Sequence, residues 1–156
     1  MSEVVNLSVA VDVSPERAFE IFVDELGSWW PVEYSWSQDV LEEIAIEPHE
    51  GGMCFERGPL GFRCDWGRVL AWDPPRHLVI AWQISPRREP EPNPAKASEV
   101  EIRFDGAEAG GTTVRLEHRA FERHGDGGAE YAQMLGAPEG WPFLLDRFTA
   151  ACAALD

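Results

Sequence analysis

Three polar side chains continue apolar series in this sequence and could do chemistry in a protein interior. His118 follows two apolar residues at two-residue spacing, so a strand that buries them also turns the imidazole inward. Arg57 continues an apolar series in the same way, and Arg68 lies two residues after Trp66. A buried guanidinium needs a carboxylate partner. Two of these three side chains in one cavity would therefore bind an acidic amphipathic ligand, because a guanidinium pairs with a carboxylate through two bonds.

His118 has two interpretations that the sequence leaves open. An inward imidazole could act as a general base on a bound molecule. A histidine at the end of a strand can also be a structural residue that is partly buried and hydrogen-bonded to backbone. The sequence offers no orienting partner for a base, so the structural interpretation is favoured.

Large aromatic side chains form the second unusual group. The chain has seven tryptophans in 156 residues, and tryptophan supplies broad flat surfaces both to cores and to ligand pockets. Alternation along the strands predicts that several of these rings face one interior. Together with Arg57 and Arg68, the predicted lining of a ligand cavity is Trp30, Phe55, Trp66, Trp82, His118, Trp141, Leu145 and Phe148.

Established catalytic and cofactor motifs are absent from the sequence. It has no glycine-rich phosphate loop, no Gly-x-Ser-x-Gly and no His-Glu-x-x-His. We therefore predict no catalytic residue, no metal site and no cofactor. The three cysteines, Cys54, Cys64 and Cys152, are too few and too scattered for a disulfide framework and are predicted to be inert buried thiols.

The charge and composition restrict the partners. A net charge of −15 would repel the phosphates of nucleic acid and of anionic membranes, so neither is expected as a partner. No apolar run reaches the length of a membrane span, and no secretory signal is recognisable. The chain is predicted to be a single cytoplasmic domain over residues 1–156, and a homodimer through an exposed strand edge is left open.

The element that must organise these residues is the C-terminal segment. From Trp141 to Leu155 the bulky apolar residues recur at three- and four-residue spacing, which predicts a helix of about four turns with one continuous apolar stripe. Pro138 and Pro142 suit its first turn. Such a stripe needs a large apolar surface to cover it.

The preceding chain supplies that surface as strands. A strand from Val5 is followed by a helix that begins at Ser14 and ends at Gly27, then by a short second helix. From residue 41 to residue 118 the period is two, apart from an exposed proline-rich loop at 85–97. The prediction is an α+β fold: a curved antiparallel sheet of about six to seven strands wraps around the long C-terminal helix, with two short helices after the first strand.

This order of elements and several local motifs resemble the START-like (SRPBCC, helix-grip) superfamily. The closest resemblance is to its branch related to activators of the heat-shock-protein-ninety ATPase. The motifs are SPERAF at 14–19, GSWWP at 27–31, EGG at 50–52, GRVLAWDPPR at 67–76, VIAW at 79–82, LEH at 116–118, and GWP at 140–142 running on to Leu145. The resemblance covers nearly the whole chain.

The resemblance implies a cavity between the concave sheet and the long helix that holds small apolar or amphipathic molecules. Binding of such a molecule is therefore the predicted function. Two alternatives remain. One is a co-chaperone-like interaction domain that contacts a chaperone partner. The other is a cyclase- or hydrolase-like enzyme that uses the same cavity, with His118 as its base.

Overall fold

A seven-stranded antiparallel sheet and four helices make up the fold in the computed structural model, which describes residues 3–155. The sheet order is β1-β7-β6-β5-β4-β3-β2, and the sheet curls around the C-terminal helix as predicted. The strands are β1 Val5–Val11, β2 Glu43–Ile46, β3 Met53–Arg57, β4 Arg63–Asp73, β5 His77–Trp82, β6 Ser98–Gly106 and β7 Thr112–Arg119. The helices are α1 Pro15–Val23, α2 Leu26–Trp29, α3 Gly128–Gly136 and α4 Trp141–Leu155.

Helix α1 begins where the sequence predicts. The Ser14 side chain accepts a hydrogen bond from the Arg17 backbone N–H at 3.2 Å, and Pro15 occupies the first turn. The C-terminal boundary differs from the prediction. The helix ends at Val23, and Gly27 lies inside the short helix α2.

Helix α4 carries the predicted apolar stripe. The residues of the stripe from Trp141 to Cys152 are buried, and the helix packs against β1, α1 and α2. Pro142 lies in the first turn, whereas Pro138 lies in the preceding turn. Gly140 makes that turn tight, because a Cβ there would stand 2.2 Å from the Leu135 carbonyl oxygen. The end of α3 therefore approaches the start of α4 too closely for any side chain at position 140.

Strand β2 determines which face of β3 points inward. Ile44 and Ile46 belong to the hydrophobic core, and Glu56 is the cross-strand partner of Ile44. Directly opposed residues of an antiparallel pair point to the same side, so the even-numbered residues of β3 face the interior. The predicted inward orientation of Phe55 and Arg57 is wrong for this reason.

Strand β4 contains two irregularities that change its alternation. Between β3 and β4 the pairing passes from Gly67 to Asp65, which leaves Trp66 as an additional residue. A second shift leaves Leu70 unmatched against β5. A β-bulge moves every later side chain of the strand to the opposite face. Arg68 is consequently exposed rather than inward, which corrects the second arginine prediction.

The outer face of the central strands carries an ion-pair network around Glu101. Its carboxylate accepts hydrogen bonds from Arg119 at 2.6 Å and from His77 at 2.5 Å, and Arg103 lies 2.8 Å away. Burial alone would raise the pKa of Glu101, but the bonds from Arg119 and His77 and the charge of Arg103 outweigh it. The pKa is therefore lowered.

We expect Glu101→Gln to reduce the free energy of unfolding near neutral pH by about 1 to 3 kcal/mol, because the partly buried Arg119 and His77 lose their carboxylate partner. A lowered folded-state pKa adds stability that is complete above the unfolded pKa of about 4.3. That stability is lost as the pH falls through the folded pKa. Urea denaturation at a series of pH values measures both effects. Equal acid sensitivity of the wild type and the variant below that pH would contradict the assignment; Asp105→Asn, in an exposed pair with Arg115, is the control.

Candidate functional site

Three tryptophans from different elements meet in front of the sheet. Trp30 follows helix α2, Trp66 lies on β4 and Trp82 ends β5. The rings of Trp30 and Trp66 are stacked, with centroids 5.8 Å apart and planes at 20°. Trp82 stands 5.9 Å from Trp66 and 6.4 Å from Trp30. Trp66 lies two residues after the buried Cys64 and therefore faces the same interior, and the bulge changes the orientation of the residues that follow it.

The three rings form one side of a cavity that is mostly apolar. Its other lining residues come from the segment after α2, from β2 and β3, from the loop after β5, and from α3 and α4: Tyr34, Ser35, Trp36, Ile44, Glu56, Ile84, Arg88, Leu135 and Leu144. The volume between these side chains, including the part that is open to solvent, is about 430 Å³. The part that water can enter freely is about 30 Å³, or room for about two or three water molecules. The side chains that line the cavity are thus closely packed.

The predicted site residues fall into three groups. Trp30, Trp66 and Trp82 line the cavity. A second group is fully buried behind the cavity wall, where Trp141 contacts both Trp30 and Trp82: His118, Trp141, Leu145 and Phe148. The third group lies on the outer face of the sheet: Phe55, Arg57 and Arg68.

Two of the outer-face residues have partners of their own. Arg63 stacks over the Phe55 ring at 4.3 Å, and Arg57 is ion-paired with Glu43. The two predicted arginines therefore contribute no inward charge. These strands therefore do not form the predicted cavity in which inward arginines bind an acidic ligand.

Glu56 is a charged residue of the interior, whereas the predicted orientation of β3 places it on the outer face. It is 0% exposed and lines the cavity. Its Oε1 accepts a hydrogen bond from the Trp36 backbone N–H at 3.0 Å, and its Oε2 accepts one from the Ser37 backbone N–H at 2.9 Å. The alternation of Ile44 and Ile46 indicates this orientation of Glu56, because the residue opposite Ile44 must lie on the same face of the sheet.

The mouth is formed by two segments that hydrogen-bond to each other. The Trp36 indole N–H donates to the Arg88 carbonyl oxygen at 3.0 Å, and the Arg88 guanidinium donates to the Tyr34 carbonyl oxygen at 3.2 Å. Arg88 has a φ of 64°, in the left-handed region. The same side chains also line a second, wider depression. Trp36 and Arg88 thus separate the narrow inner cavity from the outer one.

His118 belongs to a hydrogen-bonded chain within the core. Trp141 Nε1 donates to His118 Nδ1 at 3.0 Å, so the imidazole proton is on Nε2. That nitrogen donates to Ser98 Oγ at 2.7 Å, and the hydroxyl in turn donates to His124 Nε2 at 2.7 Å. Burial, followed by the neighbouring His124, lowers the pKa of His118 well below its usual value. The imidazole is therefore neutral, and both of its nitrogens have structural partners.

The three cysteines lie in the protein interior, where all of them are buried. Burial, with the charges of Glu56 and Asp65, raises the pKa of Cys64 to about 11, and burial raises the pKa of Cys54 as well. Within residues 3–155 no group of three or more His, Cys, Asp or Glu side chains could hold a metal ion. None of the helices in that range is long and apolar enough to cross a membrane.

Solved structures similar to this one share its fold over nearly their whole length. The anthrahydroquino-gamma-pyrone synthase Txn09 is 35% identical, with a TM-score of 0.67 over 95% of this chain and 96% of that chain. CalC, a self-sacrificing resistance protein from Micromonospora echinospora, is 25% identical, with a TM-score of 0.71 over 98% and 96%. Protein NE0264 from Nitrosomonas europaea, 13% identical with a TM-score of 0.69 over 99% and 96%, shows the fold alone.

Sequence comparison identifies the family. No curated protein matches the chain. A family model described as "Activator of Hsp90 ATPase homolog 1-like protein" matches residues 12–153, which is most of the chain. The structural neighbours have the helix-grip fold, so the superfamily resemblance seen in the sequence is confirmed. The chain belongs to the family of activator of Hsp90 ATPase homolog 1-like proteins.

Proposed function

We propose that this protein binds a flat aromatic small molecule in the cavity formed by Trp30, Trp66 and Trp82. The observation that carries the proposal is the meeting of three indole rings at one apolar cavity. Indole rings pack against other planar rings over large areas and with defined geometry. A site of this composition favours planar ring systems over flexible acyl chains, because a rigid ligand loses little conformational entropy on binding.

The similar structures support this choice of ligand class. The relative with 35% identity is a synthase named for an anthrahydroquino-gamma-pyrone, which is a fused aromatic system. That activity is the relative's own. For this chain it supports an aromatic ligand over other apolar molecules, since the likeness extends over 95% of the chain.

The narrow interior requires movement at the mouth. Sites for drug-sized ligands enclose roughly 300 to 1,000 Å³, whereas water can enter only about 30 Å³ of this cavity. Trp36 and Arg88 stand between the cavity and the outer depression and are held by two hydrogen bonds. Swinging these side chains aside would join the two spaces. Ligand entry is therefore proposed to proceed through the Trp36–Arg88 contact.

Ligand titrations test the proposal. We expect an anthraquinone to quench tryptophan fluorescence saturably, with a steroid and a fatty acid weaker. Trp30→Leu should weaken anthraquinone binding by about tenfold, because it removes one aromatic wall. Trp72→Leu is the matched control, since Trp72 packs on Phe19 elsewhere on the sheet. Circular dichroism confirms folding of each variant. Absence of saturable binding by every member of the panel would overturn the proposed function.

Cyclase-like catalysis is the second candidate, favoured by the synthase relative. Chromatography of the bound compounds after incubation separates the two functions. Unchanged ligand supports binding alone, whereas a cyclised or hydrolysed product would make the protein an enzyme. Catalysis through His118 would first require one of its two hydrogen bonds to break.

A chaperone partner is a third candidate, which rests on the description of the family. Stimulation of a chaperone ATPase by the purified protein would support it. A cytoplasmic location also stays a prediction.

A further inference from the structure

The indole N–H of Trp66 is an unused hydrogen-bond donor at the cavity. Trp66 is 2% exposed and lines the cavity, yet its Nε1 has no acceptor among the described residues. Buried indole N–H groups normally have a partner. In contrast to Trp66, the Trp82 indole N–H donates to the Tyr131 hydroxyl and the Trp141 indole N–H donates to His118. The Trp66 indole N–H is thus an unpaired donor on a residue that lines the cavity.

Glu56 supplies unused acceptors at the same cavity. Each carboxylate oxygen accepts one backbone N–H, from Trp36 and Ser37 respectively. A carboxylate offers about four acceptor positions in total, so each oxygen can accept another bond. Across residues 3–155 no ion pair links Glu56 to a cationic side chain. A hydroxyl donor from a ligand would satisfy part of this remaining capacity.

The two groups are neighbours on the sheet. Glu56 is the cross-strand partner of Cys64, and Trp66 lies two residues further along the same strand. All three side chains face the interior. Diagonal neighbours of this kind are separated by about 7 to 8 Å. One rigid bicyclic or tricyclic ligand can therefore reach both groups.

We propose that Glu56 and Trp66 select a phenolic aromatic ketone, with the ligand hydroxyl donating to the Glu56 carboxylate and the ligand carbonyl accepting from the Trp66 indole N–H. This inference rests on the proposed function and specifies the ligand of the same cavity. The proposed ligand is a neutral phenol, in place of the acidic ligand predicted from inward arginines. Glu56 would repel a carboxylate placed beside it, whereas it accepts a hydrogen bond from a neutral phenol.

Calorimetric titration with flavone, 7-hydroxyflavone and 7-methoxyflavone tests the pairing. The pH is kept below the pKa of the phenol, so that the hydroxyl keeps its proton. The three compounds share a planar ketone and differ in the hydroxyl. We expect 7-hydroxyflavone to bind the wild type about tenfold more tightly than the other two, as one hydrogen bond to a charged acceptor allows. Glu56→Gln should remove this preference. Trp66→Phe should weaken the binding of all three flavones by a similar factor, because each flavone has the carbonyl.

The outcomes separate this inference from the proposed function. If all three flavones bind the wild type with one affinity, or if Glu56→Gln retains the preference, the pairing is wrong while aromatic binding stands. If no flavone and no anthraquinone binds, the proposed function itself fails. Glu43→Gln, on the outer face beside Arg57, is the matched control and should keep the wild-type preference. The wild-type comparison remains decisive if Glu56→Gln does not fold.

Discussion

Replacing Trp141 with alanine is expected to lower the free energy of unfolding by about 3 to 5 kcal/mol. The Trp141 ring is 1% exposed, and its centroid lies 5.5 Å from Trp82 and 6.3 Å from Trp30. Alanine would leave a large void at the start of α4, where the neighbouring rings cannot collapse into it. Typical domains are stable by only 5 to 15 kcal/mol, so this one change removes a large part of the total.

Chemical denaturation of the wild type and two variants measures the effect. Trp141→Phe keeps most of the ring but leaves His118 Nδ1 without its donor, so a smaller loss of about 1 to 3 kcal/mol is expected. Trp36→Ala is the control at the partly exposed mouth. It should lower the free energy of unfolding by well under half as much as Trp141→Ala does. If Trp141→Ala and Trp36→Ala destabilise equally, Trp141 is not the anchor of the core that its burial indicates.

Replacing His118 with alanine is expected to destabilise the protein by about 2 to 4 kcal/mol. The substitution opens a void beside Phe121, whose ring stacks on the imidazole at 4.2 Å. It also leaves the Trp141 N–H without its acceptor and removes one of the two hydrogen bonds of the Ser98 hydroxyl, which keeps its bond to His124. A loss of function in this variant would follow from the damaged core and would not identify a catalytic base.

The pH dependence of stability distinguishes His118 from a simple apolar residue. Its folded-state pKa is lowered, so the unfolded chain binds a proton that the folded protein excludes. Stability therefore decreases as the pH falls below the unfolded pKa of about 6.5. Urea denaturation between neutral and mildly acidic pH should show a shallower decrease for His118→Ala. His49→Ala, at an exposed position, should retain the wild-type slope. A wild-type slope in His118→Ala would contradict the buried neutral imidazole.

The elements of the fold could be read from periodicity. The stripe on α4, the Ser14 cap of α1 and the alternating strands were all predicted and are confirmed, because each depends on spacing within one segment. The exceptions are local. The end of α1 at Val23 follows from the short helix α2, which takes Gly27 into its own turn.

The candidate site could be predicted only in part, and the errors share one cause. Alternation along β3 separates two sets of side chains, but it does not say which set faces inward. Pairing with Ile44 places Glu56 inside and Arg57 outside. On β4 the additional residue Trp66 reverses the alternation, so that Arg68 is exposed. Register and bulges depend on neighbouring strands, which a single segment of sequence does not describe.

The sequence by itself determined that a long apolar helix lies on a curved sheet and that tryptophans concentrate at their junction. Only the tertiary structure decided what those tryptophans do. Trp141 lies behind the cavity wall, bonded to His118, whereas Trp66 lines the cavity with its N–H unpaired. The physical reason is that spacing specifies the face on which a ring lies. Whether that ring fills a core or borders a cavity depends on the partners that other strands and helices bring to it.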